Sequence, residues 1–75
     1  MKEFEKVIRK ACIDEGISLA ELSIIVEYNS PANFSTAIKH CTLGDKYLVP
    51  VSRRLKQDVG ELFKLKLESR NESSS

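Results

Sequence analysis

Apolar residues first recur at Phe4, Val7, Ile8, Ala11 and Cys12, while Lys6, Arg9, Lys10 and Asp14 fall between them. Spacings of three and four residues lay the apolar set along one stripe of an α-helix. The stripe stops at Gly16, a residue that takes the left-handed helix-ending conformation without steric cost, so a first helix is predicted over about Lys2 to Glu15. Ser18-Leu19-Ala20-Glu21 then reads as a capping box, in which serine and glutamate each satisfy the other's free backbone donor. Leu19, Leu22, Ile25 and Val26 give a second apolar face, with Ile24 extra, and carry that helix to about Tyr28.

Asn29-Ser30-Pro31 is the sharpest punctuation in the chain. Asn tolerates a left-handed conformation, Ser caps a helix, and Pro suits the first helical position, where its missing N–H is not needed. A third helix comes next, ending before Gly44, with Phe34, Ala37, Ile38 and Cys41 inward. Its other face shows Asn33, Ser35, Thr36, Lys39 and His40. Asp45 to Val49 reads as an irregular link, and Pro50 as the opening of a fourth helix with Val51, Leu55 and Val59 inside. Asp58 offers a further cap before Leu62, Phe63 and Leu65, a short last helix. The alternation from Phe63 to Glu68 also fits a strand of period two, but the cap and the lack of a second strand favour helix. The expectation is an all-α, compact five-helix domain over residues 1–68, with a flexible polar tail at 69–75.

With 75 residues the chain is too short for a catalytic barrel or a nucleotide-binding sheet. Hydrophobic residues at 41% and charged residues at 31% describe an ordinary globular chain. No apolar run approaches the ~20 residues of a membrane helix, and none resembles a signal peptide. The expected setting is soluble and cytoplasmic, without membrane contact. Two cysteines, Cys12 and Cys41, make neither a disulfide framework nor a zinc site. His40 beside Cys41 lacks further ligands at metal-binding spacing and lacks a nucleophile to serve as base, so neither a metal, a cofactor nor an enzyme is expected.

The stretch Gly16-Ile17-Ser18-Leu19-Ala20-Glu21-Leu22-Ser23, the turn, and Ser30-Pro31-Ala32-Asn33-Phe34-Ser35-Thr36-Ala37-Ile38 together resemble the helix-turn-helix of the lambda-repressor-like family of Cro-type regulators. Val51 to Phe63, with its closing Leu62-Phe63, looks like that family's last two helices. Leu19 stands where the family usually has Gln, and Glu27 lies near its usual turn Gly. Ser23 is the small residue expected where the two helices cross. The resemblance implies a small sequence-specific DNA-binding regulator, by default a repressor, of the phage or mobile-element type. It puts base reading on Ala32, Asn33 and Thr36, with Ser30 and Ser35 close by.

Physical chemistry points the same way. A major groove about 12 Å wide admits one helix. Asn33 can pair bidentately with adenine, Ser35 and Thr36 can bond a base or phosphate, and Lys39 can reach guanine or phosphate, with His40 completing the face. The helix start also offers free N–H groups to a phosphate. Net charge is only +1, but its placement is uneven: residues 1–32 carry −2, residues 33–66 carry +4 and residues 67–75 carry −1. Positive charge thus gathers on the proposed reading helix and the chain from there to Lys66. Arg53, Arg54 and Lys56 are either DNA-backbone contacts or plain solvated surface. Ile24, Tyr47, Leu48, Val49 and Leu67 exceed what so small a core needs; they either finish its edge or form a dimer seam. The alternative to a DNA regulator is a protein-binding module that grips another regulator through Ile24, Tyr28 or Tyr47 to Val49; the antidote half of a toxin pair is a third option.

Overall fold

A computed structural model describes residues 2–72 and the side chains of 2–71. Five α-helices account for most of these residues: α1 (Glu3–Glu15), α2 (Leu19–Ile25), α3 (Pro31–His40), α4 (Asp45–Leu55) and α5 (Val59–Glu72). No strand occurs among the described residues, so the alternation at 63–68 is helical. α1 is the central strut and packs on each of the other four helices, while α2 lies on α3 and α4 on α5. The Cα radius of gyration is 11.2 Å, close to the ~11 Å of a single folded body of this length. No helix is long and apolar enough to cross a membrane among the described residues.

The helix starts obey the expected chemistry. Ser18 accepts from the Glu21 N–H at 3.0 Å and donates its own N–H to the Glu21 carboxylate at 3.3 Å, closing the capping box of α2. Ser30 accepts from the Asn33 N–H at 3.1 Å, with Pro31 next in chain. Asp58 accepts from the Gly60 N–H at 3.1 Å ahead of α5.

One device ends the first four helices. Each is succeeded by a residue in the left-handed region, and two backbone N–H groups fold back on the last turn. Gly16 and Ile17 bond to Ile13 and Cys12; Glu27 and Tyr28 bond to Ile24 and Ser23; Cys41 and Thr42 bond to Ile38 and Ala37; Lys56 and Gln57 bond to Arg53 and Ser52. The left-handed residues are Gly16 (φ 71°), Glu27 (60°), Cys41 (57°) and Lys56 (57°). The residue bearing the turn after α2 is therefore Glu27, two places before Asn29, and α2 stops at Ile25 instead of reaching Tyr28.

Phe4, Ile8, Leu22, Phe34, Ile38, Leu43 and Leu48 are wholly buried at the centre. Ile25, expected inside, is 47% exposed, and Ser23 takes the buried place. Its hydroxyl donates to the Ala20 carbonyl at 2.6 Å, so a small polar residue sits inside without an unmet donor.

Further expectations are overturned, and Val59, expected inside the fourth helix, opens α5 instead. Helix α4 starts at Asp45, and Pro50 lies inside it rather than opening it. Leu48 and Val51 are both wholly buried, and Tyr47 packs on the core edge; burying them outweighs the local cost of the proline. Helix α5 also continues past Leu67 through Glu72, so 69–72 are not a tail. Ser69 is wholly buried and its hydroxyl accepts from the Phe4 N–H at 3.0 Å. A serine near the end of the chain thus satisfies a free donor of α1, whose own cap residue, Lys2, gives no side-chain bond. Residues 73–75 lie outside the described residues.

Candidate nucleic-acid interface

α3 has a buried side and a bare side. Phe34, Ala37, Ile38 and the adjoining Cys41 face inward; Ala32, Asn33, Thr36, Lys39 and His40 are exposed, and Ser35 is half-buried. At 3.6 residues per turn, Ala32, Thr36 and Lys39 run down the middle of the open face. Asn33 and His40 form one flank and Ser35 the other. The helix holds no acidic residue, and Lys39 and His40 lie in its last turn.

The hydrogen bonds already made narrow what each group can offer. Thr36 donates its hydroxyl to the Ala32 carbonyl at 3.0 Å, so toward a ligand it is an acceptor. The Ser30 oxygen is engaged as a cap but keeps its own O–H to donate. Asn33 has its side-chain amide free, with both donor and acceptor ready for the edge of an adenine. The expected array of outward N–H groups shrinks to one. Pro31 has none, and those of Asn33 and Phe34 bond to Ser30, which leaves Ala32.

The two arginines divide. Arg53 is exposed at the end of α4. Arg54 turns instead to Glu15, with 3.0 Å between guanidinium and carboxylate, and Lys56 approaches the same carboxylate at 3.9 Å. This cluster ties the end of α4 to the end of α1, so Arg54 is occupied within the protein. Sequence spacing gives no sign of a pairing across 39 positions.

Sequence reading also misses an aromatic group beside the start of α3. Tyr28 meets Phe34 edge-on at 5.2 Å between ring centres and Tyr47 at 4.7 Å. The Lys46 ammonium lies 5.1 Å from the centre of the Tyr47 ring. These rings join the turn after α2, α3 and the first turn of α4. Lys66 is buried, donating to the Leu43 carbonyl at 2.9 Å and to Asp45 at 2.6 Å.

Both cysteines are buried and unpaired. Burial pushes each thiol above its ordinary value of 9.0, partly offset at Cys12 by Arg9 and Arg54 and at Cys41 by Lys2 and Ser69. Among the described residues no three His, Cys, Asp or Glu side chains gather into a group that could hold a metal ion.

Of the apolar surplus, Leu48 belongs to the core and Tyr47 to its edge. Ile24 (70% exposed), Leu67 (59%) and Val49 (37%) remain outside, joined by Ile13 and Ile25. Comparison of the chain with protein-family models, with curated proteins and with solved structures found no match.

Proposed function

We propose that this chain is a small sequence-specific DNA-binding regulator of transcription, with a lambda-repressor-like fold and α3 as the helix that enters the major groove. One observation carries the reading: α3 buries its apolar side and turns a short-polar, acid-free face outward, with Asn33, Thr36 and Lys39 all open. Ala32 and the Thr36 methyl suit the methyl group of thymine, Asn33 suits adenine, and Lys39 and His40 lie toward the far wall of the groove. Arg53 serves a phosphate, whereas Arg54 serves the fold. Occupying a promoter in this way represses by default.

Selection of bound duplexes from a random pool, with salt titration on the winner, tests the reading. Affinity for the selected duplex should fall steeply with salt, with a slope of about 0.9 per phosphate contact. Asn33→Ala and Thr36→Ala should each erase roughly 1–3 kcal/mol of preference for the selected over a scrambled duplex. Lys39→Ala should weaken both duplexes alike. Equal affinity of the wild-type chain for selected and scrambled duplexes would sink specific readout.

A second reading, a module that grips another regulatory protein, draws on the outer side of α2. Ile24 and Ile25 stand exposed there, next to Ala20. Such a module would show no salt-dependent duplex affinity. We also propose that the DNA-binding form is a homodimer, since Leu67 stands exposed on α5 one turn after the half-buried Phe63. Two-fold operators place half-sites about one DNA turn apart and are read by such pairs.

A further inference from the structure

We infer that the groove between the second half of α1 and the start of α2 is a small-molecule site for an apolar carboxylate. The site goes beyond the DNA-binding reading and does not depend on it. Shape is the first support. The groove has a volume of about 300 Å³, at the small end of the roughly 300–1,000 Å³ of ordinary ligand pockets. Arg9, Cys12 and Ile13 share one side of α1 because they lie three and four residues apart. After Gly16 the chain doubles back, and the Ile17 N–H bonds to the Cys12 carbonyl at 3.0 Å, which sets Ile17 beside that side. Cys12 is buried, Ile17 and Leu19 are half-buried at the core edge, and Ile13 stands 77% exposed. An occupant that covers these aliphatic groups takes apolar surface out of water.

The polar lining is the second support, because what it offers is donors. The Arg9 Nε–H donates to Glu5 at 2.9 Å, while its terminal N–H groups have no partner among the described residues. The Ser18 oxygen already accepts from the Glu21 N–H at 3.0 Å and keeps its own O–H to donate. Burial pushes the Cys12 thiol up, so it stays protonated. Among the described residues no carboxylate lines the groove, and Arg9 brings its one formal charge. Glu5, which pairs with Arg9, is 6% exposed and does not line it. The matching occupant therefore brings acceptors and negative charge at one end and hydrocarbon at the other. A carboxylate suits the free edge of a guanidinium, and a cation would be repelled.

The test follows the methyl signals of the whole chain, labelled at Ile and Leu, as eight-carbon probes are added below their micelle thresholds. The probes are octanoate, octanol and octylammonium. Octanoate should shift Ile13, Ile17 and Leu19 with an affinity on the order of millimolar, and should leave the exposed Leu67 in place. Octanol should bind roughly three- to tenfold more weakly, and octylammonium more weakly still. Arg9→Gln should bring octanoate down to the level of octanol. Because Arg9 also holds Glu5, Ile13→Glu serves as a second variant at a position that packs little in the fold. It should cut octanoate affinity by roughly tenfold and make octylammonium the best of the three probes. Circular dichroism checks that both variants remain helical. Equal affinity of the wild-type chain for octanoate and octanol, or a shift at Leu67 as large as that at Ile13, overturns the site. Shifts of the same methyl groups when the chain alone is concentrated assign the groove to a second copy and overturn it as well.

Discussion

Among the described residues, three with side chains hold the left-handed conformation that ends a helix: Glu27, Cys41 and Lys56. Each costs on the order of 1 kcal/mol relative to a glycine there. Glu27 is exposed, so deleting its side chain sacrifices no packing. Glu27→Gly should therefore raise stability by about 0.5–1 kcal/mol, seen as a higher urea midpoint at unchanged slope. At Cys41 the same change should destabilise, because it empties a wholly buried position. The thiols make a separate prediction. Burial raises both above the unfolded value of 9.0, so the folded chain holds these protons more tightly than the unfolded one. Their contribution is complete below pH 9 and is lost as pH climbs through the raised values. Urea midpoints measured from pH 8 to 10.5 should fall, and the fall should shrink in a Cys12→Ala, Cys41→Ala chain. At this scale the open face of α3 was legible, since residues three and four apart must share a side. The engagement of Arg54 by Glu15 and the meeting of Tyr28 with Tyr47 were not, because distant parts of the chain make them.

Among the elements, α4 departs furthest from local rules. Pro50 is its sixth residue, and without an N–H it leaves the Lys46 carbonyl with no bond in the helical ladder. Leu48 and Val51 on either side are wholly buried, and that burial holds the helix together. Pro50→Ala should restore the bond and stabilise the domain by roughly 1–3 kcal/mol, read as a higher urea midpoint. An unchanged or lower midpoint would mean that α4 has no helical turn before Pro50. The starts of α2, α3 and α5 were readable because Ser18-Glu21, Ser30-Pro31 and Asp58 act within one turn of themselves. The start of α4 and the length of α5 were hidden because tertiary partners set them: the core around Leu48, and the Phe4 amide that meets Ser69.

For the molecule as a whole, an all-helical body of five elements was foreseeable from five amphipathic segments and short links; the packing of α1 against every other helix was not. What it does to a second copy was not, since a leftover apolar residue reads the same at a core edge as at a seam. If α5 supplies the seam, Leu67→Glu should leave a single chain of 8.5 kDa in sedimentation at concentrations where the wild type sediments as two. The variant's affinity for a two-fold duplex should fall sharply, and its helix content should not change. The bond from the Phe4 amide to Ser69 brings the first turn of α1 against the later turns of α5. Fluorophores grafted at the exposed Glu3 and Glu68 would thus stay within efficient energy-transfer range while the domain is intact. They would drift apart on denaturation, giving an optical gauge of integrity that leaves the open face of α3 untouched.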